Sequence, residues 1–169
     1  MIDTSDWKEF VVEELFEVSH GKFKPEKDSV EGDKGVPHFT TTIFNNGIGY
    51  YVKDAMFPAN CITVASESQG ASFFHDYPFS ASNIVTVLIP PDNIPLNKYN
   101  AEFICTLFKK EGAKYSWGGF KFSTDRVRKT KLKLPVTCSA EPDWSYMEAY
   151  MRNIINEAEN TVNTLIKIL

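Results

Sequence analysis

The sequence is poor in the features that mark secreted, membrane-spanning and metal-binding chains. Its three cysteines, Cys61, Cys105 and Cys138, are odd in number, far apart and without CxxC spacing, so neither a disulfide framework nor a zinc ribbon fits. No run of 18 apolar residues occurs, which excludes a simple spanning helix. The first fifteen residues carry Asp3, Asp6, Glu9, Glu13 and Glu14 where a secretory leader would be basic and then apolar. The expectation is a cytoplasmic chain.

Catalytic signatures are missing as well. No GxxxxGK[ST] phosphate cradle, HExxH helix or GxSxG elbow is present. The only double proline, Ile89-Pro90-Pro91-Asp92, has the wrong neighbours for a base-methylating Asn-Pro-Pro-aromatic motif. Pro142-Asp143 lacks the acid-x-lysine continuation of a magnesium-dependent nuclease. His20, His38 and His75 are scattered, so no metal site is assigned. Cys61 paired with one of them would make a thiolate nucleophile, but it lies in an apolar strand pattern where a buried structural thiol is the default. No residue is assigned as catalytic.

What the chain does contain is enough apolar surface to fold: 43% hydrophobic and 14% aromatic residues in 169, room for one domain and an appended helix. Its formal charge of −4 hides an asymmetry. Between Lys109 and Lys133 stand nine of the 18 basic residues and two of the 22 acids, a local +7 that leaves −11 on the rest. Such an island suits phosphate neutralisation; the bland alternative is an edge strand guarded by lysine, which would account for Lys131 and Lys133.

Residues 7–18 suit a strand and a short helical turn, and His20 to Pro37 a surface connection turning at Gly21, Gly32 and Gly35. Phe39–Phe44 and Ile48–Val52 flank Asn45-Asn46-Gly47, which predicts a tight hairpin because Asn and Gly tolerate positive φ. Asn60–Ala65 reads as a strand, Ser66–Gly70 as a polar loop, Ala71–Phe74 as a further strand, and Asn83–Ile89 as the clearest buried strand. Asn100–Lys110 spaces Ala101, Ile104, Cys105 and Phe108 as a helix of about three turns ended by Gly112. Lys131–Pro135 alternates like a last strand with one face in water. The fold class expected is α+β: a mainly antiparallel twisted sheet with short helices over residues 1–140, then a long helix over 141–169.

That helix opens at Pro142-Asp143 and has no proline or glycine afterwards. Met151, Ile155, Ala158, Val162, Leu165 and Leu169 step by 4, 3, 4, 3, 4. A 3.5-residue period favours a left-handed coiled coil, and about 27 residues at 1.5 Å each would reach roughly 40 Å, beyond what a small domain covers. Folding back onto the core is the alternative.

Recognition chemistry is offered by several segments. Arg126 and Arg128 flank Val127, so on a strand they would share one face and read guanine or clamp phosphates. Lys121 and Lys129 suit the nucleic-acid backbone. Thr41, Asn45, Asn46, Ser66 and Gln69 carry groups able to meet base edges, although each is also an ordinary turn former. Tyr115 and Trp117 offer rings for sugars or bases, or for the core.

Taken together, Trp7-Lys8-Glu9-Phe10, Leu15-Phe16, Gly21, Phe44-Asn45-Asn46-Gly47, Ile62-Thr63-Val64, Gly70, Tyr115-Ser116-Trp117-Gly118, Lys121, Leu134-Pro135-Val136 and Pro142-Asp143-Trp144 come in an order and spacing that resembles the target recognition domain of type I restriction-modification specificity subunits, and of related type IIB and type IIG enzymes. The likeness runs from about Trp7 to Met151. It implies a recognition domain, residues 1–140, contacting one half of a split duplex DNA target, and a spacer or dimerisation helix, residues 141–169. It implies no catalytic centre and no cofactor in this chain: methyl transfer belongs to partner methyltransferase subunits that bind S-adenosylmethionine, and cleavage to a restriction subunit or fused nuclease region. Specificity chains of this kind usually carry two recognition domains and two helices. One of each here implies either a half-size subunit that dimerises through its helix or a piece of a longer chain. The residues expected to touch DNA are Thr41, Asn45, Asn46, Ser66, Gln69, Tyr115, Lys121, Arg126, Arg128 and Lys129. The competing readings are a non-catalytic protein-interaction module that docks through its C-terminal helix, and a small enzyme centred on Cys61 or a His-acid pair.

Overall fold

A computed structural model describes residues 2–23, 29–31, 34–115 and 120–168. Gly32, Trp117 and its neighbours, and Leu169 lie outside the described residues. The strongest β signals form the centre. β5 (Cys61–Ala65) is buried at every position and β8 (Val85–Ile89) at all but the last, as their β-branched, apolar runs require. They pair antiparallel and are flanked by β2 (Glu17–His20) and β6 (Ser72–His75), giving the order β2-β8-β5-β6.

Two smaller sheets complete the strands instead of one continuous sheet. β1 (Lys8–Val11) pairs antiparallel with β9 (Lys131–Leu134). In β9 the lysines face water while Leu132 and Leu134 are buried, the alternation its sequence predicts. β3 (Val36–Phe39) pairs antiparallel with β4 (Ile48–Val52) and parallel with the short β7 (Ser80–Ala81).

The hairpin over Asn45-Asn46-Gly47 therefore exists, but it is not tight. The first strand lies N-terminal to its predicted place, and residues 40–47 form a long loop closed by a 3₁₀ turn at Asn45–Gly47. The cause is local competition: Thr40 Oγ1 accepts from Thr42 N–H at 3.4 Å and Thr42 Oγ1 from Phe44 N–H at 3.2 Å. Hydroxyls two residues back thus occupy amides that a ladder would have used.

Helices cover the main sheet. α1 (Val12–Leu15) is one turn, with Val12 and Leu15 buried. α2 (Lys98–Gly112) is capped by Asn97, whose side chain accepts from Tyr99 and Asn100 amides. Its Ala101, Phe103, Ile104, Cys105 and Phe108 enter the main core with Ile62, Val64, Leu88, Phe122, Val127, Leu132 and Met147. A second, smaller core of Phe39, Cys61, Phe79, Ala81, Val85 and Val87 lies under the β3–β4–β7 sheet.

α4 (Trp144–Ile168) is continuous for 25 residues, about 37 Å. Its first two turns are docked: Met147 is fully buried, and Trp144, Tyr150 and Met151 pack against the main core. Arg152 closes that contact over the Tyr99 ring at 4.1 Å and pairs with Glu148, which also accepts from Asn97. Ile155 is half-buried, and from Asn156 to Lys167 every side chain is exposed, including the seam residues Ala158, Val162 and Leu165. The helix does not fold back. None of the described helices is long and apolar enough to cross a membrane.

Candidate nucleic-acid interface

Two clefts flank the C-terminal end of α2. The first, about 900 Å³, lies between the 40–47 loop, the β5–β6 turn and one face of α2. Thr41, Thr42, Glu67, Ser68 and Gln69 supply its polar groups from the loops. The turn is seated by a close backbone approach. A Cβ on Gly70, which has φ +73°, would stand 2.2 Å from the Phe108 carbonyl oxygen, and one on Gly112 would stand 2.3 Å from Gly70 Cα. Gly112 is thus needed for the close contact, which leaves no room for a side chain. Ser68 Oγ donates to the Thr41 carbonyl and ties the two loops together.

The α2 wall of this cleft is Glu102, Cys105, Thr106, Lys109 and Ala113. These are residues that sequence reasoning did not select, yet their helical spacing marks one stripe. Burial lifts the Glu102 carboxyl above the ordinary carboxylate range, opposed by nearby Lys98. Its neutral form is a donor where its charged form only accepts.

The second cleft, about 530 Å³, is basic. Lys114, Arg126, Lys129, Lys131 and Lys133 line it against Glu9, Glu111 and Asp125, with Tyr115 and Thr130 between. Lys114 pairs with Glu111 and Lys131 with Glu9 at 3.4 Å. Lys129 and Lys133 are exposed on its rim.

The expected site residues do not all serve as read from the sequence. Residues 124–129 are helical, α3 (Thr124–Lys129), so Arg126 and Arg128 point about 200° apart and share no face. Arg126 lies 4.3 Å from the centre of the Phe120 ring and 5.5 Å from that of Tyr115, and donates to the Lys121 carbonyl. It caps a ladder in which Tyr115 stacks on both Phe120 and Phe122. Arg128 donates to the Val18 carbonyl at 3.0 Å and so braces β2.

Ser66 is buried, its N–H donating to the Ile84 carbonyl and its carbonyl accepting from Phe122 N–H; it holds the main sheet to the 120–122 segment. Lys121 is half-buried and ion-paired with Glu67 of the first cleft. Thr41 and Gln69 do line the first cleft. Asn45 and Asn46 stand exposed at its margin, with φ of 48° and 51°. Lys129 lies in the basic cleft.

The alternative nucleophile finds no support in its surroundings. Cys61 is buried, donates weakly to the Ala59 carbonyl at 3.7 Å, and is pushed up to about 12 by burial, with Glu17 adding to the shift, so it is a thiol at neutral pH. His75 is buried between the Phe39 and Phe79 rings, and burial holds it down at about 3.

Comparison with known proteins places these clefts in context. Residues 4–165 match the family model for the type I restriction modification DNA specificity domain. The chain is 29% identical over 154 residues to the type II restriction enzyme BgcI specificity subunit S.BcgI of Heyndrickxia coagulans, covering 89% of this chain and 44% of that protein. The type I restriction-modification S subunit of M. genitalium superposes with a TM-score of 0.66 at 17% identity, over 97% of this chain and 44% of that one. The HsdS subunit of Thermoanaerobacter tengcongensis does so with a TM-score of 0.63 at 11% identity, over 95% and 40%. At such identities the two structures share the fold, and this chain spans less than half the length of each of these three proteins. With the family model matching nearly the whole sequence, the chain belongs to the type I restriction-modification DNA specificity domain family.

Proposed function

We propose that this chain recognises one half of a bipartite duplex DNA target and directs partner methyltransferase subunits, and a restriction subunit, to it without catalysing either reaction. The observation that carries this reading is the pairing of a loop-built cleft that presents threonine, serine, glutamine and glutamate side chains with a basic cleft across one helix end. Base edges are discriminated by short polar side chains, and phosphates are held by cations; the two clefts divide those tasks. S-adenosylmethionine belongs to the partner methyltransferase.

The exposed distal half of α4 suits pairing with a second such helix, from an identical chain or from another recognition domain. An antiparallel pair would hold two recognition domains at a fixed separation, and a symmetric dimer would read a palindromic split site. The cytoplasm is the compartment this role requires.

The test is to co-purify the chain with a methyltransferase subunit, add labelled S-adenosylmethionine and genomic DNA, and map the modified positions. The expected result is methylation at a recurrent split motif that disappears when this chain is omitted. Methylation independent of the chain, by an active and associated methyltransferase, would overturn the reading in favour of a protein-docking module.

A further inference from the structure

One feature of the first cleft is not explained by hydrogen-bonding recognition. Ile43 and Phe44, on its rim, are 59% and 76% exposed. They stand at the tip of a loop that is otherwise closely held. Thr40 N–H donates to the Gly47 carbonyl and Gly47 N–H to the Phe44 carbonyl. The two threonine hydroxyls take the Thr42 and Phe44 amides. Asn45, Asn46 and Gly47 are all left-handed, a run that only such residues sustain cheaply. Gly47 packs where a Cβ would lie 3.0 Å from the Phe73 ring. The loop is anchored at its base, and its apolar end is presented to solvent.

We propose that this tip is a wedge for duplex DNA: Phe44 enters between two stacked base pairs from the groove, with Ile43 beside it against the sugars. The inference rests on the DNA-recognition reading above. Its chemistry is that of an apolar side chain that partly unstacks one base step and lets the duplex bend against the surrounding polar surface. Asn45, Asn46, Thr42 and Gln69 flank the tip, and Lys109 lies in the same cleft, groups that suit groove edges and a phosphate. A protein-docking anchor is disfavoured by area, because two side chains supply roughly 250 Å² where a stable partner surface needs about 800 Å² per side. The wedge would also confer selectivity at a position with no base-edge contact, since pyrimidine–purine steps open most easily.

The experiment enriches a randomised duplex pool on the purified chain in complex with its methyltransferase. 2-Aminopurine is then substituted for adenine at successive positions of the enriched duplex. The wild-type complex is expected to raise the fluorescence severalfold at one step. Phe44→Ala should abolish that rise and weaken binding about tenfold, the order of one lost ring–base stack, with the salt dependence unchanged. Phe44→Trp should restore both. Enrichment with no fluorescent step, or Phe44→Ala binding as tightly as wild type, would overturn the wedge and leave DNA recognition standing. Failure of the wild-type complex to enrich any duplex would overturn both. Loss of methyltransferase association in Phe44→Ala with duplex binding retained would reassign the tip to a protein contact and overturn the wedge.

Discussion

The two clefts share a helix end and little else. The loop cleft is built from two turns, 40–47 and 66–71, whose supports are the small aromatic core and the Gly70–Gly112 contact. The basic cleft is built on α3 and β9, whose Val127, Leu132 and Leu134 belong to the larger core. On the proposed reading, groups for discrimination sit on turns, while charge sits on regular elements fixed by the main core. The division has a physical basis: base edges demand varied groups at special backbone angles, whereas phosphates need only cations at roughly the right place.

Charge reversal in the basic cleft should break the comparison most severely. Lys129→Glu with Lys133→Glu is expected to weaken binding to every duplex about a hundredfold at low salt and to flatten the salt slope by about two, leaving preference among sequences intact. Fluorescence anisotropy between 50 and 200 mM salt, as about the range over which such contacts are lost, measures both.

Acid should separate the clefts through their cores. The unfolded chain binds a proton at His75 near 6.5 and the folded chain only near 3, so the unfolded state holds more protons between those values. Stability contributed by neutral His75 is complete above pH 6.5 and is lost as pH falls toward 3, at roughly 1 kcal/mol per pH unit. Thermal melts from pH 7 to pH 4 should show this slope, and His75→Gln should flatten it. Hydrogen exchange at pH 5 should open β3 and β4 before β1 and β9, because His75 stacks on Phe39 of β3; uniform opening would refute the link to one core.

Within the basic cleft, Arg126 differs from its lysine neighbours. Arg126→Ala should cost about 1–2 kcal/mol of stability by uncapping the ring ladder and should change the salt slope by less than Lys129→Ala. In the loop cleft, Gln69→Asn keeps a residue tolerant of its φ of 50° and shortens the side chain. It is expected to lower selectivity between the best duplex and a single mismatch about tenfold, with no change in slope. The smallest effect on the fold belongs to the distal helix. Val162→Glu with Leu165→Glu should leave the melting temperature unchanged, since both are exposed, while abolishing the proposed helix pairing, measured by sedimentation.

Much of the architecture was legible because its signals are local. β5 and β8 announce themselves by β-branched apolar runs, β9, α2 and α4 by spacing, and the edge alternation of Lys131–Leu134 matches residue by residue. The misreadings have local causes. Thr40–Phe44 has strand composition, but its hydroxyls take the amides. Arg126-Val127-Arg128 alternates like a strand, yet six residues closed by Thr130 form a turn and a half of helix. Ser66 looked like loop chemistry because its neighbours are polar, while its backbone is tied to Ile84 and Phe122 from distant parts of the chain.

By itself the sequence determined the class of fold, the charge island and the long uninterrupted helix, since each depends on residue type and spacing along one segment. Tertiary structure alone decided which cations remain available. Arg126 and Arg128 are spent on rings and a carbonyl, Lys121 on Glu67, and Lys129 and Lys133 stand open. It also decided that Glu102, Thr106 and Lys109 of α2 face loops from 30 or more residues earlier in the chain. The reason is that a side chain's task is set by the partners that reach it, and those partners come from segments whose meeting no local pattern encodes.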